Sequence, residues 1–180
     1  MRALVVYESM FGNTKAVAFA IASGIREAME VDTVEVSDAP TVLPTDLDLL
    51  VVGGPTHAHG LTSSTTRVDA ARRAGARLVS RGAGVREWLE ALPPPTAAIA
   101  ASAFDTRIRG PELLWGSAAK GAAKLLTGLG LSVLPAKSFV IGGPTGEPFD
   151  RVSAQELERA RAWGASIGAA VAGPPVGASR

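Results

Sequence analysis

A chain of 180 residues is one ordinary domain in length, long enough to bury a core without covalent staples. It contains no cysteine, which excludes disulfides, thiolate metal ligation, iron–sulfur clusters and a cysteine nucleophile. With 47% hydrophobic residues, 19% charged residues and a formal charge of +1, it reads as a folded α/β chain with no global field for nucleic acid or membrane.

The first apolar run, Ala3–Tyr7, is short and continuous, the pattern of a strand buried on both faces. Thr14 to Met29 then places Val17, Ile21, Ile25 and Ala28 on one helical face. Thr33–Val36 alternates and reads as an edge strand, and Leu49–Val52 is a second buried strand. The stretch from Gly60 to Leu92 is a long crossover ending in a short helix, Val85 to Leu92, which Pro93-Pro94-Pro95 stops. Ala97–Ala101 reads as the fourth strand, Ser117 to Leu126 as a helix and Phe139–Ile141 as the fifth strand. The last helix, Ser153 to Ala172, aligns Leu157, Ala160, Gly164, Ile167 and Val171 and opens with a capping box, Ser153 and Glu156. This order predicts a three-layer α/β/α fold, with a doubly wound five-stranded parallel sheet and helices on both faces. It is expected to be a single domain over 1–172 with a frayed tail at 173–180. There is no signal-like N-terminal segment and no run of about 18 apolar residues, so a cytoplasmic protein is expected.

The segment that carries chemistry is Glu8-Ser9-Met10-Phe11-Gly12-Asn13-Thr14-Lys15, between the first strand and the first helix. Backbone N–H groups at a helix start, hydroxyls at Ser9 and Thr14, the Asn13 amide and a tight turn at Gly12 are what an anionic phosphate needs. The same residues also suit an ordinary capped turn. The segment is neither a Walker loop nor a G-x-G-x-x-G fingerprint, and the chain has no G-x-S-x-G elbow. His57 and His59 have no evident third ligand, so no metal site is expected.

Ser9-Met10-Phe11-Gly12-Asn13-Thr14 resembles the phosphate loop of the flavodoxin family. Gly54-Pro55-Thr56-His57-Ala58-His59-Gly60 falls where that family places its first isoalloxazine loop, and Ser102-Ala103-Phe104-Asp105-Thr106-Arg107 where it places its second. The resemblance covers residues 1 to 172 and is to the short-chain class. It implies strand order 2-1-3-4-5 and FMN as cofactor. It also implies flavin contacts from Ser9, Met10, Phe11, Gly12, Asn13, Thr14, Pro55, Thr56, His57, Ala58, His59, Gly60, Ser102, Ala103, Phe104, Asp105 and Arg107, with neither catalytic residue nor metal. Three loops at the carboxyl ends of strands would converge on the switch point of such a sheet.

The chain departs from the family in two respects. Flavodoxins are usually strongly acidic, whereas residues 67–86 here hold Arg67, Arg72, Arg73, Arg77, Arg81 and Arg86 against Asp69 alone. That stretch is either a solvated face or a docking surface for an acidic redox partner. The family often sandwiches the flavin between Trp and Tyr, but the only tyrosine here is Tyr7, in the first strand, and no Trp lies in either flavin loop. Phe104 is the candidate for one ring face, and His57 or His59 for the other. Three functions follow from the resemblance: an FMN electron carrier between partner proteins, which it favours; an FMN-dependent NAD(P)H:quinone-type oxidoreductase; and a flavodoxin-fold binding module without redox chemistry.

Overall fold

The computed structural model describes residues 1–56, 60–62, 80, 82–108, 116–142 and 151–173. In chain order the elements are β1 (Arg2–Tyr7), α1 (Asn13–Ile25), β2 (Glu30–Glu35), β3 (Leu49–Pro55), α2 (Val85–Ala91), β4 (Ala100–Ile108), α3 (Ala118–Gly128), β5 (Ser132–Val133), β6 (Lys137–Ile141) and α4 (Ala154–Ala172). The sheet runs β2-β1-β3-β4, and β5 and β6 both pair with β4. Every one of these pairings is parallel. The order is therefore the expected one, with the fifth strand in two pieces. Residues 134–136, which include Pro135, separate the pieces, and the Ser102 hydroxyl donates to the Pro135 carbonyl at 3.1 Å.

The central strands are apolar on both faces because both faces are covered. Leu4, Val6, Leu50, Val52, Ala101 and Ala103 pack with Trp88 and Leu89 of α2 and Leu126 of α3. Ala3, Val5, Tyr7, Leu49, Val51 and Phe104 pack with α1 and with Ala160 and Ile167 of α4. Three layers result, and the carboxyl ends of β1, β3 and β4 share one edge.

Among the differences from the sequence reading, three bear on how the elements are held together. β4 starts at Ala100 and runs on to Ile108, so Ser102–Arg107 is not a loop after the strand but most of the strand itself. The polar residues that suggested a loop are tolerated in a buried strand because neighbours bond them. Ser102 reaches Pro135, Thr106 shares a hydrogen bond with Thr14, and Asp105 accepts three. α1 ends at Ile25, with Arg26 as its C-cap, rather than at Met29. The Ser153 hydroxyl does accept from Glu156 N at 3.2 Å, but the Glu156 carboxylate bonds Val140 N at 2.9 Å and Arg159, so it ties α4 to β6 instead of closing a box.

α1 and α4 touch backbone to backbone. A Cβ on Gly164 would run into the carbonyl of Ile21, and one on Gly24 into the carbonyl of Arg161. Gly164→Ala gains roughly 1 kcal/mol of helix propensity. The expected net result is nevertheless a loss of about 1–3 kcal/mol, since a backbone carbonyl cannot rotate away as a side chain can. Urea unfolding checks it, and a stabilised variant would mean that the helices can separate freely. Among the described residues no helix is long and apolar enough to cross a membrane.

Candidate functional site

Glu8 to Gly12 carry the chain from β1 across the carboxyl edge to α1. Ser9 is the hub of this turn and is fully buried. Its N–H donates to Ser80 Oγ at 2.8 Å, and its carbonyl accepts from Ser80 N at 2.9 Å. Its own Oγ accepts from Gly12 N at 3.1 Å and Lys15 N at 3.2 Å. A hydroxyl that accepts twice still has its proton to donate. Gly12 has φ +91°, a left-handed conformation that glycine adopts without a Cβ penalty. Asn13 Oδ1 accepts from Val152 N at 2.9 Å, and Thr14 Oγ1 lies 2.8 Å from Thr106 Oγ1. Met10 is buried and Phe11 exposed. Beside the loop a cavity of about 570 Å³ is lined by Phe11, Gly12, Asn13, Ala16, Arg151, Val152 and Leu157.

The helix starts differ in a way that matters for anions. Val85 N, in the first turn of α2, donates to the Glu8 carboxylate at 3.0 Å. At the start of α3, Ala119 N donates to Asp105 Oδ2 at 3.0 Å and Lys120 N to Ser117 Oγ at 3.2 Å. α4 has Ser153 as its cap and Glu156 in its first turn. α1 is capped at Gly12 with no side-chain hydrogen bond and has no acid in its first turn. α1 thus differs in that its N-cap is a left-handed glycine, its first turn holds no acid, and the side chain that reaches its N–H groups is the neutral Ser9 hydroxyl, at Lys15 N, which suits an incoming phosphate.

The second loop leaves β3 at Pro55, which is buried. Thr56 N donates to the Thr106 carbonyl at 2.9 Å, and Thr56 Oγ1 donates to Asp105 Oδ2 at 3.0 Å. Gly60 is half-buried, Leu61 and Thr62 are buried, and Thr62 Oγ1 donates to Glu8 Oε1 and Oε2 at 2.5 and 2.7 Å. His57, Ala58 and His59 lie outside the described residues, as do Arg67, Arg72, Arg73, Arg77 and Arg81. Arg86 is half-buried, with its guanidinium 3.5 Å from the Leu61 carbonyl.

The third group of expected contacts needs correcting along with β4. Ser102, Ala103, Phe104 and Asp105 are buried strand residues. The Phe104 ring is fully buried. It lies where a Gly53 Cβ would be and meets Phe139 edge-on at 6.3 Å. Asp105 caps α3, and its Oδ1 accepts no hydrogen bond. Arg107, half-buried near the end of β4, lines a cavity of about 410 Å³ with Ser117, Lys120 and Lys137. Tyr7 is buried in β1, and burial, then Glu35 and Asp38, raise its phenol above the ordinary tyrosine range. Glu8, so far only a member of the loop segment, and Ser117, so far only a helix start, join Thr62 and Ser80 as contacts that sequence reasoning did not assign to the site. For Glu8 a signal was present, since an acid directly after a fully buried apolar strand must find donors.

This geometry is that of a known class. A family model for flavodoxins matches residues 5–171, and the chain belongs to the flavodoxin family, whose cofactor is FMN. Among solved structures, it is similar to a flavodoxin from the domain Archaea at 20% identity and TM-score 0.61, covering 95% of this chain and 99% of that one. A flavodoxin from Streptococcus pneumonia TIGR4 is similar at 17% identity and TM-score 0.58, over 94% of this chain and 100% of that one. The rubredoxin oxygen:oxidoreductase of Desulfovibrio gigas is similar at 17% identity and TM-score 0.60, over 94% of this chain but only 36% of that one. No curated protein matches the sequence.

Proposed function

We propose that this protein is an FMN-dependent electron carrier of the cytoplasm that passes electrons between partner proteins. The observation that carries the reading is the start of α1, where a left-handed Gly12, the neutral Ser9 hydroxyl on Lys15 N and a first turn without an acid follow directly on β1. That site fits a phosphate monoester. Bound FMN supplies redox chemistry that no side chain here offers. The chain's part is to hold and shield it. Ser9 and Thr14 hydroxyls, with backbone N–H groups of the loop from Met10 to Asn13, hold the phosphate. Pro55, Thr56, His57, Ala58, His59 and Gly60 form the wall along the ring, and Arg107 offers a cation at the end of β4.

A carrier and an enzyme separate in one assay. The FMN-loaded protein with NADPH and a quinone is expected to turn over no faster than free FMN, whereas a flavoprotein reductase with NADPH reduces it fully. Sustained NADPH oxidation without the reductase would make it an oxidoreductase instead.

The stretch from Arg67 to Arg86 is the proposed docking surface for an acidic partner. Electron transfer to such a partner is expected to slow as salt rises, because exposed charges are screened over about 8 Å at physiological ionic strength. Arg72→Ala with Arg73→Ala is expected to flatten that dependence. A rate indifferent to salt and to both substitutions would return the stretch to a solvated face.

A further inference from the structure

The turn from Ser9 to Thr14 offers a phosphate only neutral donors, two hydroxyls and backbone N–H groups. A phosphate monoester carries a charge of about −1.5 to −2 at neutral pH. The charged side chains that flank the turn do not supply the balance. The Glu8 carboxylate is engaged by Thr62 Oγ1 and by Val85 N of α2. The Lys15 ammonium lies over the Phe19 ring, 5.9 Å from its centre, one turn further along α1.

A different cation stands beside the turn. The cavity of about 570 Å³ that Gly12 and Asn13 border is also lined by Arg151, and no acid lines it among the described residues. The backbone around Arg151 is held there from two sides. Its carbonyl accepts from Gly142 N at 3.3 Å, and Val152 bridges Ile141 at the end of β6. Val152 N donates to Asn13 Oδ1 at 2.9 Å, and Asn13 is the first residue of α1. The Asn13 side chain thus ties the residue after Arg151 to the helix start. The Arg151 side chain is exposed and has no hydrogen bond or ion pair among the described residues. Those of Arg2, Arg159 and Arg161 each meet an acid.

We infer that Arg151 is a phosphate-binding residue, the cation that a phosphate monoester meets at the start of α1. The inference rests on the FMN reading and adds to it. The turn's hydroxyls and N–H groups orient the phosphate, and Arg151 offsets part of its charge. A guanidinium suits this task because its paired N–H donors match two phosphate oxygens at once. Since the side chain is exposed, its contribution is screened by salt.

Arg151→Gln removes the charge and Arg151→Lys keeps it. Arg26→Gln removes an equal charge from the opposite end of α1 and controls for net charge. Each flavin-free protein is titrated with FMN and, separately, with riboflavin, at low and at raised salt, following flavin fluorescence. Arg151→Gln is expected to weaken FMN binding about 10-fold at low salt, the lower end for a hydrogen bond to a charged group because the side chain is exposed. The loss should shrink as salt rises, and riboflavin affinity should stay unchanged. Arg151→Lys is expected to recover part of the loss, and Arg26→Gln to match the wild type. Unchanged FMN affinity in Arg151→Gln, an equal loss for FMN and riboflavin, or an equal loss in Arg26→Gln overturns the inference. The functional reading survives each of those results as long as the wild type prefers FMN to riboflavin. A wild type that binds both alike, or neither, overturns the two together.

Discussion

Ser9→Ala combined with Thr14→Ala is expected to weaken FMN binding by roughly 10²–10⁴-fold. Each hydroxyl bond to a charged phosphate contributes about 1.5–3 kcal/mol, and two together give about 3–6 kcal/mol. Both side chains also build the loop. Ser9 Oγ gathers the N–H groups of Gly12 and Lys15, and Thr14 joins Thr106 of β4. The two losses are therefore not independent, and the single variants are expected to sum to something other than the double. Thr106→Val serves as the control. It removes Thr14's protein partner but not Thr14's own hydroxyl, and should change affinity far less than Thr14→Ala. Flavin fluorescence titration measures all four proteins. Affinity unchanged in the double variant would place the phosphate elsewhere.

Phe104→Ala is expected to lower stability by about 3–5 kcal/mol, the usual range for deleting a fully buried aromatic ring. The ring fills the space over Gly53 and is fully enclosed with Phe139 and the α1–α4 helices. Gly53, beneath the ring, has no side chain that could move into the gap. Phe104→Leu should retain most of the stability and should leave FMN affinity unchanged, since this ring belongs to the core. Denaturant unfolding and a flavin titration of the same samples decide the matter. A Phe104→Leu protein of normal stability but weakened flavin binding would restore Phe104 to the ring site.

Most of the fold could be read from the chain because the buried strands and the amphipathic helices obey simple periods. Ala3–Tyr7 lies within β1, Leu49–Val52 within β3, and the face with Ala160, Gly164 and Ile167 packs as expected. The fourth strand was misplaced because hydrophobicity was its only signal. Ser102, Asp105, Thr106 and Arg107 look like loop residues, and only the partners that meet them in space make them strand residues. The same cause hid the buried polar contacts. Thr62 and Ser80 have no local pattern that pairs them with Glu8 and Ser9, at separations of 54 and 71 residues. The phosphate loop was legible because its features are contiguous, with strand, glycine turn and helix start falling within Glu8 to Lys15. The split of the last strand follows from the Pro135 interruption, which a window centred on Phe139–Ile141 does not reach.

A phosphate-bearing flavin is proposed to bind at the start of α1. The most direct test titrates flavin-free protein with FMN and, separately, with riboflavin, which carries the same ring without the phosphate, following flavin fluorescence. One FMN is expected to bind per chain, with riboflavin at least about 10²-fold weaker for want of the charged contacts. Equal affinity for the two, or no binding of either, would contradict it.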